Sequence, residues 1–331
     1  MLRTSAVLGA SAVAAAVVLL LRRSRRTKEP AVLGYVALRG LAEPIKLLHA
    51  FLGVPLEELN YGKPTLPRAN RPMAEYMSTK HELAEAGMAL PNTPWYVDDT
   101  VKLTEAAAIL RHVCERHAPR LLEASGFPTW YERRARVDQL VTYLFYVNNL
   151  TRAFHYGYLP QTRTREAKEA DGRTGSLYIA RATEAETVCE MAAVSREQVL
   201  DAFAAGAVGN PHDGPFLFGE TITLADFVLY EHIMLARCHC PQLIDGPPRV
   251  LAFCAAIEKL PGVRAYLASA DRVAVPINAP FANFGASTDA ADPFRPGPEW
   301  TAPGAEQNDA TRASRRRWSW TKGDTPASIS K

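Results

Sequence analysis

Residues 33–48 read LGYVALRGLAEPIKLL, and the change of character along that stretch decides the fold. Ala31–Leu38, which contains its first part, is short, apolar and rich enough in β-branched side chains to be a buried strand. Arg39 and Gly40 make the exit, and Pro44 stands where a first-turn proline belongs. Ile45, Leu48 and Leu52, with Leu47 and Phe51, then share one broad helical face, which Gly53 ends. Pro55–Tyr61 reads as a second strand. An irregular stretch rich in proline and polar residues follows, up to the PNTP of Pro91–Pro94. Trp95–Val97 and Val101–Leu103 flank the turn residues Asp98, Asp99 and Thr100 as a hairpin. Thr104 is the expected N-cap of a helix that carries Ala108, Ile109, Leu110, Val113 and Cys114.

The order β-α-β, then β-β-α, is that of a thioredoxin-like domain, expected over residues 30–120. Beyond it the apolar period becomes helical. Residues 129–158 read as one long helix with Val137, Leu140, Val141, Leu144, Phe145 and Leu150 on its buried face. An all-helical domain is expected over 121–285, with an insertion around 161–210 that begins as a charged loop and continues as an Ala- and Glu-rich helix. From residue 286 to 331 apolar periodicity disappears and Pro, Gly, Ser, Thr and Asp dominate, the composition of a disordered tail.

The chain has 331 residues, of which 47% are hydrophobic and 22% charged, with a formal net charge of +3. Those proportions suit an ordinary globular protein with a sizeable core. The basic residues gather at the ends, around Arg22–Lys28 and Arg315–Arg317, without aromatic partners in a folded segment, so no nucleic-acid partner is expected. Five scattered cysteines do not make a disulfide framework and read as reduced thiols. Cys238-His239-Cys240, near His232, has no second ligand pair at zinc spacing, so no metal is expected.

Ser5–Leu21 carries no charge and is rich in Ala, Val and Leu; as a helix it would be about 25 Å long, at the lower limit for a bilayer. Arg3 precedes it, while Arg22, Arg23, Arg25, Arg26 and Lys28 follow. The heavier basic flank argues for a retained anchor over residues 1–29 that leaves the folded part in the cytosol, at the mitochondrial outer membrane or the ER. A cleaved mitochondrial presequence, which would also lack acidic residues before Glu29, and a secretory signal are the alternatives. Asn149-Leu150-Thr151 is a glycosylation sequon, so a glycan there would refute the cytosolic orientation.

LGYVALRGLAEPIKLL and GMALPNTPWYVDDTVKLTEAAAILRHVCERH (residues 87–117) resemble the N-terminal domain of the tyrosine-type cytosolic glutathione transferases, nearest to the mu and sigma classes. RVDQL from Arg136 and PFLFGETITLADFVLY from Pro215 resemble the helical domain of the same family. The resemblance covers residues 31 to about 280 in the right order. It implies a glutathione transferase fold, glutathione as co-substrate, no permanently bound cofactor, a hydrophobic electrophile, and a homodimer.

The resemblance also assigns roles. Tyr35 is the hydroxyl donor to the glutathione thiolate; as a strand tyrosine read alone, it would simply pack. Thr93-Pro94 matches the family's cis-proline turn, whose preceding residue pairs its backbone with the cysteinyl part of glutathione, and Asn92 flanks it as ligand contact or turn former; read alone, Thr93-Pro94 would be a trans turn entering a strand. Leu41, Glu105 and Ala106 complete the peptide site, with Glu105 meeting the γ-glutamyl ammonium at a helix start that favours a carboxylate. Tyr156 falls where mu-type enzymes place a second tyrosine over the electrophile, near Tyr146, Phe154, His155 and Tyr158. Thr223 and Asp226 have the side-chain spacing of a capping box and a purely structural role. No cysteine lies between Val32 and Leu47, which disfavours a mixed-disulfide chemistry.

Departures from the pattern set the rival reading. Ala106 stands where the family has serine, Thr79 and Leu83 where the mu class has Trp and Lys in an ungapped alignment (Lys80 could supply the lysine only with a shift), and Tyr146 where a carboxylate reaches the partner subunit. A charge-assisted hydrogen bond contributes roughly 1.5–3 kcal/mol, so losing two would weaken peptide binding many-fold. A transferase-like scaffold of low activity is therefore the alternative, and a glutathione-dependent isomerase the third.

Overall fold

The computed structural model describes residues 30–62, 69–156, 214–238, 248–273, 275–279, 282, 285 and 286. The expected anchor at residues 5–21, the insertion at 161–210, Tyr158 and nearly all of the tail lie outside them. Among the described residues no helix is long and apolar enough to cross a membrane.

The first half is a five-stranded sheet in the order β3-β2-β1-β4-β5. Strand β1 (Ala31–Val36) runs parallel to β2 (Leu56–Gly62), and β2 parallel to the short β3 (Arg71–Pro72). Strands β4 (Trp95–Val97) and β5 (Lys102–Thr104) form the antiparallel hairpin, with β4 against β1. Helix α1 (Glu43–Leu52), with Pro44 in its first turn and Gly53 at its C-cap, links β1 to β2. The region read as irregular contains a helix, α2 (Glu75–Glu85). Its sequence hides it: among its described side chains only Leu83 and Thr79 are well buried, and they make no broad apolar stripe to reveal the period. Leu83, Met88 and Tyr76 cover one face of the sheet over Tyr61 and Trp95.

Helix α3 (Ala106–His117) begins one residue later than the sequence suggested, because Thr104 is the last residue of β5 and Glu105 is the N-cap. The Thr104 hydroxyl donates instead to the Leu90 carbonyl at 2.7 Å, across the hairpin. Asp98 closes the hairpin turn. Its Oδ1 accepts the amides of Thr100 and Val101 and the Thr100 hydroxyl, while Oδ2 meets His112 at 2.7 Å and Arg116 at 3.0 Å, both on α3. Burial opposes that charge, but these donors outweigh it and hold the carboxyl at about 2.

The helical half is built on α4 (Trp130–His155), α5 (Leu224–Arg237), α6 (Pro248–Lys259), α7 (Pro261–Leu267) and the short α8 (Ala270–Val273). Helix α5 is buried from Leu224 to Ala236 and packs on α4, α1 and α3, so it is the axle between the halves. Its start is closed as expected. The Asp226 carboxylate accepts the Thr223 amide at 2.6 Å, the Thr223 hydroxyl at 2.8 Å and the Leu217 amide at 2.7 Å. Burial still pushes its carboxyl up to about 6.

Polar groups also cross between the halves. Glu43 on α1 meets Arg272 at 2.9 Å and accepts the Tyr266 hydroxyl at 2.9 Å. Burial disfavours its charge, yet Arg272, Arg39 and Lys46 together hold the carboxyl below its usual range. Breaking such a buried pair from one side leaves an uncompensated charge, at a cost of about 3–5 kcal/mol. The seam thus fixes how the helical half sits on the sheet.

Candidate functional site

Strand register gathers the expected peptide-binding residues. Gly34 pairs with Trp95, and Trp95 with Thr104. Tyr35, Pro94 and Glu105 each adjoin one of these paired residues in the chain, at the same end of β1, β4 and β5. Gly34 is required for this arrangement, since a Cβ there would lie 1.9 Å from the Trp95 indole.

Tyr35 is buried, and its hydroxyl oxygen accepts the Leu41 amide at 3.0 Å. A phenol has one proton to give as well as lone pairs to receive. With an amide on the oxygen, the proton is aimed elsewhere. Burial raises the phenol pKa, against the opposing pull of Arg152 and the Leu41 amide, so the group stays protonated at neutral pH and has its proton to give. Gly40, at φ +49°, lets the backbone turn tightly over the ring; a Cβ there would sit 2.4 Å from the hydroxyl. Leu41 follows in the same turn, half-buried.

The Thr93–Pro94 bond is cis, as the resemblance implied. Pro94 is buried, Thr93 half-buried and Asn92 exposed. Both polar side chains are held by Tyr76 from α2: its hydroxyl donates to Asn92 Oδ1 at 3.2 Å and receives the Thr93 hydroxyl at 3.5 Å. Lys80 sits over the Tyr76 ring, 5.6 Å from its centroid. The sequence reading missed Tyr76 because it missed the helix; the Tyr76/Lys80 spacing of four was the available signal. Thr79 donates to its own helix, to the Glu75 carbonyl, and Leu83 is core, so neither serves the site.

Glu105 is exposed, with φ +67° and ψ 111°, the one positive-φ residue other than glycine among the described residues. A conformation this sparsely populated costs about 1–3 kcal/mol and persists where its surroundings impose it. No side chain caps α3, whose first amides, from Ala106 onward, have no intrahelical acceptor. An open helix start beside a displayed carboxylate suits a ligand with adjacent carboxylate and ammonium groups.

On the helical side, Tyr156 follows the end of α4 half-buried, and its hydroxyl accepts the Ala279 amide at 2.8 Å. Tyr146 is half-buried and stacks obliquely with Tyr143, at 6.3 Å between centroids. Tyr146 lies ten positions before Tyr156, near the middle of α4. His155 is buried against Asn278, at 2.9 Å. Among the described residues no group of three or more His, Cys, Asp or Glu could hold a metal ion. Cys238 is buried with its thiol on the Met234 carbonyl at 3.5 Å, while His239 and Cys240 lie outside the described residues.

Comparison with solved structures agrees on the architecture. The gluthatione S-transferase Blo t 8 superposes with a TM-score of 0.54 over 77% of this chain and 99% of its own, at 23% identity. The fold is that of the glutathione S-transferases: a thioredoxin-like sheet domain followed by a helical one. The glutathione S-transferase C-terminal domain family matches residues 176–270. The class-mu 26 kDa isozyme 51 of Fasciola hepatica is 28% identical over 77% of this chain and 96% of its own. Glutathione S-transferase Mu 1 of Oryctolagus cuniculus is 28% identical over 75% and 95%. The chain is thus similar in sequence to glutathione S-transferases, mu-class enzymes among them.

Proposed function

We propose that this protein is a glutathione transferase that conjugates glutathione to hydrophobic electrophiles through a thiolate held by Tyr35. The observation that carries the reading is the state of the Tyr35 hydroxyl: its oxygen receives the Leu41 amide, and burial keeps its proton in place. A free thiol with a pKa near ~8.5 is only a few per cent ionised at pH 7, and lowering it by about two units takes roughly 2.7 kcal/mol of preferential stabilisation. A hydroxyl aimed at the sulfur from the edge of a dry site supplies much of that. The Thr93 backbone, next to the cis bond, would pair with the cysteinyl unit, and the α3 start with Glu105 would hold the γ-glutamyl end. Tyr156 and Tyr146 would line the electrophile side. No permanent cofactor enters this scheme.

Turnover of glutathione with a chlorodinitrobenzene tests it. The wild type should release chloride with saturable dependence on glutathione, and Tyr35→Phe should lower kcat/KM near pH 6.5 by about 100-fold. No turnover and no binding at millimolar glutathione would sink the reading.

The scaffold reading is favoured by one observation. Thr79 bonds within its own helix, Leu83 is core, and Ala106 offers only its amide, so the side-chain contacts that the mu pattern draws from these positions would be lost. Retention of the donor geometry at Tyr35 supports activity over scaffolding.

The charge-free run 5–21 with its basic C-terminal flank supports a membrane tether with the domain in the cytosol, and the family resemblance supports a homodimer. Alkaline extraction of membranes tests the tether, which a freely released full-length chain would contradict. Asn149 is exposed on α4, so a glycan at that site would overturn the orientation.

A further inference from the structure

Arg152 has entered so far only through its pull on the Tyr35 hydroxyl. It lies on α4 four residues before Tyr156, hence on the same helical face. Its side chain is 12% exposed. One terminal nitrogen lies 3.6 Å from the Glu231 carboxylate, the other 3.4 Å from the Asn278 side-chain oxygen. Arg152 Nε and both Glu231 oxygens have no hydrogen-bond partner among the described residues, although Glu231 is 0% exposed. A buried pair with such loose geometry does not repay its desolvation. Such a pair points to a role other than stability.

A short backbone path joins this arginine to the Tyr35 hydroxyl. Asn278, which receives Arg152, is flanked by Ile277 and Ala279. The Ile277 carbonyl accepts the Gly40 amide at 3.1 Å, and Gly40 packs directly on the Tyr35 hydroxyl. The Ala279 amide donates to Tyr156. The Pro276 carbonyl and the Val275 carbonyl receive Arg39, one from its amide at 2.9 Å and one from Nε at 3.0 Å. Segment 275–279 therefore clasps the Tyr35 turn to the end of α4, and Arg152 is fixed at that clasp. Among the charged side chains acting on Tyr35, Arg152 is the strongest and favours negative charge there, while Glu231 opposes it less.

We propose that Arg152 is a positioning charge for the thiolate: a cation delivered from the helical half that strengthens the anion-stabilising field at Tyr35. This rests on the transferase reading. The charged groups around its counter-ion are Arg152 on α4, Glu43 on α1, Arg39 in the turn and Arg272 on α8. Burial, aided by Glu43, pushes the Glu231 carboxyl up to about 7 in spite of the three arginines. A carboxyl shifted in that direction neutralises Arg152 less completely than an ordinary carboxylate would. That is the condition for its field to be felt at the sulfur.

The test is thiolate absorbance against pH for the full-length protein saturated with glutathione. Arg152→Met should raise the bound thiol pKa by about one unit, Arg152→Lys should restore most of the shift, and Glu231→Gln should lower the pKa further. The double variant Arg152→Met/Glu231→Gln leaves neither charge stranded, so it keeps the test open if the single variant fails to fold; its thiol pKa should also rise. A methionine variant, single or double, that binds glutathione with the wild-type thiol pKa would overturn the proposal while leaving Tyr35 chemistry intact. An unperturbed thiol in the wild type itself would overturn the transferase reading and this inference with it.

Discussion

Two helix starts in this molecule are built in opposite ways. At the start of α5, Thr223 is extended at φ −128°, fully buried, and locked to Asp226, whose carboxylate gathers three donors. At the start of α3, Glu105 is exposed, held at φ +67°, and no side chain caps the first amides. A sealed end satisfies its own donors and contributes stability; an open end leaves them for something else, and the strained residue beside it keeps them open. The difference teaches which end to assign to the fold and which to a ligand.

The comparison breaks most visibly at Asp226. Asp226→Ala removes three buried hydrogen bonds and should cost about 3 kcal/mol, read from the denaturant midpoint, with glutathione affinity per folded molecule unchanged. A variant of normal stability but weakened affinity would reverse the assignment of the sealed end.

Asp98 supplies the next largest effect, because it pins the hairpin to α3 and so orients the open end. Its folded pKa, about 2, is below the ordinary 3.8, so its contribution is present above pH 4 and is lost as pH falls toward 2. Asp98→Asn should lower stability by about 2 kcal/mol at pH 7, and the gap between variant and wild type should close in acid. Urea midpoints at pH 7 and pH 2.5 check both halves of that statement.

At the open end the effects should fall on binding. Glu105→Ala removes the charge-assisted contact proposed for the peptide ammonium and should weaken glutathione about 10-fold by calorimetry, while stability changes by less than about 1 kcal/mol. Glu105→Gly is the sharpest form of the comparison and the smallest in energy. It should raise the unfolding midpoint slightly by relieving the positive φ, and still bind glutathione less well. A glycine variant both less stable and normal in affinity would show that Glu105 serves the fold.

Much of this was legible in sequence because it depends on local chemistry. The β1–α1 unit shows in apolar runs punctuated by Gly40, Pro44 and Gly53, and the sealed cap in the Thr223–Asp226 spacing. The identity of the α3 cap was not legible. Thr104 is by composition the better N-cap, and only the register of the hairpin, with Thr104 paired to Trp95 and bonded to Leu90, hands the role to Glu105. Helix α2 was missed because its buried face is narrow and mixed, and Tyr76 was missed with it. Arg152 and Glu231 were invisible for another reason. They are 79 positions apart in the chain, and their pairing exists only once α4 and α5 are packed.

The most direct measurement is the absorbance of bound glutathione at the thiolate band, titrated against pH in the wild-type protein and in Tyr35→Phe. The account predicts a thiol pKa about two units below the free value in the wild type, and its return toward ~8.5 in the variant. A bound thiol that ionises at the same pH in both would contradict the claim that the Tyr35 hydroxyl holds the thiolate.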